Sequence, residues 1–234
     1  DRVTGALLIE GHLVSWGRDN AIRFWDQNCT CLTGEIDKAH HGQANGVITF
    51  GDNIVSWGLD AAIRFWSREG ARLPHGDERA HNGGGEGGQE NQWGVGRRGP
   101  DRGCRFLGGV EGAIETNGRL VSWGLDGAIR FWSGDCSYPQ ISEGQAQQGR
   151  VGGVLRAGER LINWDSEGTI RFWSREGARL LGSNYRAHRG RVGDILLAEQ
   201  HLVSWGSDGA IRLWNLDGSR KPGGDDHAHD GPVV

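Results

Sequence analysis

The chain has 234 residues, a formal net charge of −4 and 42 glycines. The mild acidity argues against a global nucleic-acid footprint, and no run is long and apolar enough to span a membrane as a helix. So many glycines suit a protein of short strands and tight turns.

In chain order, an apolar run over residues 3–9 forms a first strand, a. A second strand, b, carries Val14-Ser15-Trp16-Gly17, and a turn through Asp19-Asn20 leads into a third, c, with Ile22-Arg23-Phe24-Trp25. A weaker fourth strand, d, ends in Ala39-His40. The same order returns four times, with strand a predicted over 44–50, 110–116, 151–157 and 192–198. The b-strand Trp falls at Trp16, Trp57, Trp123, Trp164 and Trp205, with spacings of 41, 66, 41 and 41 residues. A period in this range marks a repeat architecture. Ten of the 11 Trp belong to the repeat; Trp93 alone stands outside it. Val, Ile, Leu and Trp favour strands, and Asp208-Gly209 is a strong hairpin signal.

Strands a to c show little clean alternation of apolar and polar residues, which suits sheets covered on both faces. The expected fold is therefore all-β, with four-stranded antiparallel blades stacked as a β-propeller and residues 1–234 forming a single domain. Gly5, Gly46, Gly112 and Gly153 share one position in strand a, held by Asp194 in the fifth unit. Small residues suit close backbone approach, which predicts strand a at the centre.

The long spacing marks an insertion of 25 residues between blades two and three, at about 82–105. It is rich in Gly and Arg and reads as flexible. Trp93, Arg97, Arg98, Arg102 and Arg105 suit acidic peptides, phosphate groups or single strands of nucleic acid. Antiparallel strands bring the d–a and b–c loops to the same face. On that face the residue before the turn Asp varies by unit: Arg18, Leu59, Leu125, Ser166, Ser207.

These units resemble WD repeats: a His-ending dipeptide before strand a, Ser in b, Asp in the b–c turn and Trp closing c. The likeness covers all five units. It departs from the family in having Ala before the His, in carrying Asp after the closing Trp only at Asp26, and in the extra Trp of strand b. The resemblance implies a buried hydrogen-bond chain in each blade: His40, Ser56, Asp60 and Trp66; His188, Ser204, Asp208 and Trp214; and, by closure, His229 with Ser15, Asp19 and Trp25. A hydrolase triad has the same residue types, but a nucleophile site occurs once, whereas this group repeats. Unit four carries Gln147, Asn163 and Glu167 beside Trp173 and is expected to be looser. Arg23, Arg64, Arg130, Arg171 and Arg212 share a place in strand c. The functional reading of such a ring is a basic collar for an anionic ligand, but each is expected instead to lay its stem across a blade face, over a strand-b Trp of a neighbour.

Five units suit a closed five-bladed ring, because His229-Asp230 occupies the repeat position just before Asp1. The surplus Gly231-Pro232-Val233-Val234 repeats the opening positions and leaves a second reading, an open fragment of a larger propeller completed by oligomerisation. The chain begins at Asp1 and lacks Met, which reads as an excised piece. The four cysteines, Cys29, Cys31, Cys104 and Cys136, lack the partner pairs of a zinc site and read as reduced thiols of a cytoplasmic protein. No catalytic residue, metal or cofactor is expected. The expected function is a non-catalytic scaffold binding a protein or peptide partner on the face of the d–a and b–c loops, as a monomer if the ring closes, with neither nucleic acid nor membrane as partner. The alternative is a multivalent lectin-like binder of glycans or small ligands, one site per blade.

Overall fold

The computed structural model describes residues 2–32, 39–77, 80–81, 109–132, 139–141, 149–180, 185–225 and 228–232. They form five antiparallel sheets of three or four strands. Sheet I holds β1 (Val3–Ile9), β2 (His12–Gly17) and β3 (Ile22–Trp25). Sheet II holds β4 (Ala44–Phe50), β5 (Asn53–Gly58), β6 (Ile63–Trp66) and β7 (Arg72–Asp77). Sheet III holds β8 (Val110–Thr116), β9 (Arg119–Gly124), β10 (Ile129–Trp132) and β11 (Pro139–Ile141). Sheet IV holds β12 (Val151–Ala157), β13 (Arg160–Asp165), β14 (Thr169–Ser174) and β15 (Tyr185–Arg186). Sheet V holds β16 (Val192–Ala198), β17 (His201–Gly206), β18 (Ile211–Asn215) and β19 (Arg220–Asp225). Strand a begins and ends in all five sheets where the repeat places it. The insertion at 82–105 lies outside the described residues.

Two compact units divide the chain: residues 1–126 with 132–139, and residues 127–131 with 140–234. Within each, consecutive sheets stack in the manner of a propeller, the first strand of one sheet lying on the first two strands of the sheet before it. β4 packs on β1 and β2, β8 on β4 and β5, and β16 on β12 and β13.

The Ile-Arg-Phe-Trp strand explains why the polar–apolar alternation is weak. Its two faces meet different sheets. Ile22 and Phe24 face forward into a core with Ala44, Val47, Ile54 and Trp66 of sheet II. Trp66 faces back, its ring centroid 6.2 Å from that of Phe24. Ile63 and Phe65 then face forward against Val110, Ala113, Leu120 and Trp132 of sheet III. In the second unit Phe172 and Ile170 meet Val192, Ile195, Leu202 and Trp214. Burying each such side chain contributes roughly 1.5–3 kcal/mol relative to exposure. The first and last sheets differ from this at two positions: on β1, Val3 is 63% exposed where Ala44, Val110, Val151 and Val192 are buried, and on β16, Leu196 is 57% exposed where Leu7, Ile48, Ile114 and Leu155 are partly buried.

The small residue of strand a has a different cause from the expected one. Gly5, Gly46, Gly112 and Gly153 pair with Trp16, Trp57, Trp123 and Trp164 directly after a bulge. A Cβ on any of them would lie 2.2–2.3 Å from the indole of its partner. The extra Trp of strand b thus covers the glycine of strand a, and close approach of side chain to backbone, within one sheet, requires Gly there.

Candidate functional site

The hairpin of strands b and c positions a polar chain. Trp66 Nε1–H donates to Ser56 Oγ at 2.9 Å. Ser56 Oγ lies 2.8 Å from His40 Nε2, and His40 Nδ1 lies 2.8 Å from Asp60 Oδ1. One proton order satisfies every group: Trp N–H to Ser, Ser O–H to His Nε2, His Nδ1–H to the carboxylate. Sheet III repeats the chain with Trp132 to Ser122 at 2.9 Å, Ser122 to His81 at 2.8 Å and His81 to Asp126 at 2.9 Å. Sheet V repeats it with Trp214, Ser204, His188 and Asp208 at 2.9, 2.8 and 2.8 Å.

The histidine joins two sheets. Its backbone N–H donates to the b–c turn of the preceding sheet: His40 to Asn20 O at 2.9 Å, His81 to Ala61 O at 3.0 Å and His188 to Gly168 O at 3.0 Å. Its imidazole reaches the Ser and Asp of the following sheet. The group is a clip between neighbouring sheets. Ser56, Ser122 and Ser204 are each 0% exposed. Each already accepts the indole N–H, so none is placed as a nucleophile that substrate can reach.

Strand-c arginine is a fifth member of the clip, which corrects its expected place over a Trp. Arg64 Nη1 lies 2.5 Å from Asp60 Oδ2, Arg212 Nη1 lies 2.8 Å from Asp208 Oδ2, and Arg23 Nη1 lies 2.7 Å from Asp19 Oδ2. The signal was present in the sequence, since the arginine follows the turn Asp by four residues and a tight turn brings those positions together. Burial alone would push the Asp60 and Asp208 carboxyls up. Hydrogen bonds from His40 and Arg64 on Asp60, and from the Arg189 amide, His188 and Arg212 on Asp208, outweigh it and hold both well below the usual carboxylate range.

The clip of sheet III spans a longer stretch of sequence than the others. His81 and Ser122 are 41 residues apart, against 16 for His40 and Ser56. The insertion of 25 residues accounts for the difference, and His81 still reaches Ser122 and Asp126.

Sheet IV is rewired. Gln147 lies outside the described residues. Trp173 Nε1–H donates to Asn163 Oδ1 at 2.7 Å. Asp165 stands where the other sheets have Gly17, Gly58, Gly124 and Gly206. In sheets II, III and V a Cβ at that glycine would come within 3.0, 2.7 and 2.8 Å of the clip histidine's Nδ1. Asp165 accepts the amides of Glu167 and Thr169 at 2.9 and 2.7 Å and faces Arg171 at 3.8 Å. Burial lowers the pKa of Arg171, against the pull of Asp165. The carboxylate that closes the turn has moved by two positions. The expected loosening is not what the hairpin shows: Asn163 and Asp165 are 0% and 1% exposed.

In sheet I, Trp25 donates to Ser15 at 2.9 Å and Asp19 pairs with Arg23, all partly exposed. His229 is exposed, and its N–H donates to Gly209 O at 3.1 Å.

The residue before the turn Asp is fixed by its backbone and free in its identity. Arg18 N–H donates to Arg2 O, Leu59 N–H to Gln43 O and Leu125 N–H to Gly109 O, at 3.0, 3.0 and 2.9 Å. Arg18 is exposed, and Leu59 and Leu125 are 40% and 36% exposed. Both leucines reach Gly109: a Cβ there would lie 3.0 Å from Leu59 Cδ2 and 3.4 Å from Leu125 Cδ1. The structure therefore brings together two of the variable residues. Trp93, Arg97, Arg98, Arg102 and Arg105 lie outside the described residues. Cys29 and Cys31 are exposed, and no helix is long and apolar enough to cross a membrane among the described residues.

No protein-family model matches the chain, and no curated protein matches it. Its fold is similar to that of the computationally designed Ika8 protein. The TM-score is 0.68 at 17% sequence identity, over 99% of this chain, which spans 64% of the length of Ika8. The computationally designed Ika4 protein is similar at a TM-score of 0.54 and 18% identity, over 76% of this chain and 93% of that one. Identities this low carry the fold alone.

Proposed function

We propose that the chain is a protein-interaction scaffold of WD-repeat type, which presents variable turn residues on a fixed frame. The observation that carries this reading is the leucine pair. Leu59 and Leu125 stand exposed on neighbouring b–c turns, their backbones fixed by hydrogen bonds to the entry of strand a, and both reach Gly109. Rigid scaffolds with loop-borne exposed side chains are where binding residues collect, and an apolar pair is suited to anchor a peptide side chain. Arg18 occupies the matching turn of sheet I, and the 82–105 insertion is assigned to the same partner-binding face.

Selection of a displayed peptide library on the purified protein tests it. Peptides with a shared apolar anchor should emerge, and Leu59→Asp with Leu125→Asp should abolish their binding while leaving the clips intact. Absence of any selected peptide, together with sugar binding at about one site per sheet on a glycan array, would replace this reading with the lectin-like one.

For the sheets as a set, we propose one propeller, closed within a chain or between copies. Val3 of β1 and Leu196 of β16 are the apolar positions that closure would cover, since their counterparts in the stacked sheets are buried or partly buried. Native mass spectrometry separates a one-chain ring from an oligomer.

A further inference from the structure

The repeat also differs at the outer edge of sheet V. A groove of about 610 Å³ is lined by Arg186, Ala187, His188, Arg189, Arg212, Trp214 and Arg220. The volume falls within the usual range for small-molecule sites, roughly 300–1,000 Å³. Four arginines line it from four places: Arg186 from β15, Arg189 from the loop before β16, Arg212 from β18 and Arg220 from β19. The chain as a whole carries −4, so this is a local reversal of sign.

Two of these arginines sit on a fixed frame. Asp208 holds Arg212 at 2.8 Å and accepts the backbone N–H of Arg189 at 3.0 Å. Asp208 also accepts from His188, so the clip that joins sheets IV and V sets the floor of the groove. Arg186, Arg189 and Arg220 are exposed. Trp214 and Ala187 are 3% and 4% exposed and give the groove an apolar base.

The matching positions in the other repeats are weaker. Sheet II has Lys38, His41 and Arg72 where this groove has Arg186, Arg189 and Arg220, and Arg72 lies over the Trp66 ring at 5.6 Å. The sheet III repeat has Arg79, Asn82 and Tyr138, and the sheet IV repeat has Gln145, Gln148 and Arg179. Sheet V alone carries arginine at all three. Arginine presents planar pairs of donors that match the oxygens of tetrahedral oxyanions. Several of them around a groove this size exceed what one phosphate would engage.

We propose that this groove binds a small polyanion carrying two or more phosphoryl or sulfuryl groups. The site is separate from the leucine pair and does not depend on the scaffold reading. Isothermal titration calorimetry of the whole chain tests it, with inorganic tripolyphosphate and a disulfated disaccharide as probes. At least one probe should bind with one site per chain, and which of them binds more tightly identifies the phosphoryl or sulfuryl source. The double variant Arg186→Ala/Arg189→Ala should weaken that binding tenfold or more. Arg189→His, which installs the residue of sheet II, should weaken it severalfold and keeps the test open if the double variant fails to fold. Arg175→Ala removes an exposed arginine that pairs with Glu159 and Glu176 and should change nothing. Failure of both probes to bind, or equal losses in the Arg175 variant and the groove variants, would overturn the assignment.

Discussion

Replacing His40 with alanine removes the centre of a clip and tests its energetic weight. His40 is 0% exposed and bonds Asp60 and Ser56 at 2.8 Å each. The hydroxyl bond contributes about 1 kcal/mol net and the bond to the carboxylate about 1.5–3. The variant also leaves the Ser56 O–H buried without an acceptor and opens a cavity the size of an imidazole. Together these imply a loss of roughly 3–5 kcal/mol, a large share of the stability of an ordinary domain. Equilibrium unfolding in urea, followed by Trp fluorescence and circular dichroism, reads the loss as a lowered midpoint. Ser15→Ala supplies the contrast. Ser15 accepts the same indole bond from Trp25 at 2.9 Å but is partly exposed, so water can replace it, at a cost of about 1 kcal/mol or less. A His40→Ala loss below about 1 kcal/mol, or one equal to that of Ser15→Ala, would refute the clip as a source of stability.

Other consequences follow from the same geometry. Gly112→Ala should destabilise by about 1–3 kcal/mol, because its Cβ would fall 2.2 Å from the Trp123 ring. Trp123→Leu in the same chain should recover much of that loss, as read by thermal denaturation of the double-mutant cycle. Ala61 sits at a φ of 63°, a left-handed conformation that costs a residue with a Cβ roughly 1–2 kcal/mol. Ala61→Gly should therefore raise the melting temperature, and a fall would show that the lost methyl contacts outweigh the relief. The Asp60 and Asp208 carboxyls are lowered in the folded state, so the folded state binds fewer protons than the unfolded chain as pH falls. Their contribution is complete above the unfolded value of about 3.9 and is lost as pH drops through the folded values. Melting temperature should decline below about pH 4, and Asp60→Asn with Asp208→Asn should flatten that slope.

The sequence by itself determined the strands, their order and the hairpins, because short-range preferences suffice for these. Ile-Arg-Phe-Trp favours a strand, and Asp-Gly between two such runs favours a turn. Repetition then separated framework from individual residues, and the resemblance to WD repeats implied that Ser56, Asp60 and Trp66 lie together with His40. Tertiary structure decided what several of these residues contact. The strand-a glycine is set by the indole paired with it across the sheet, and a period of 41 residues does not say which side chain lies above which backbone. Arg64 joins Asp60 because turn geometry folds a four-residue separation back on itself, while the same spacing from Glu167 to Arg171 yields to the buried Asp165. The groove of sheet V was least legible, since Arg186, Arg189, Arg212 and Arg220 come from three strands and a loop. Each is an ordinary residue in its own segment, and only the tertiary fold brings them to a common space.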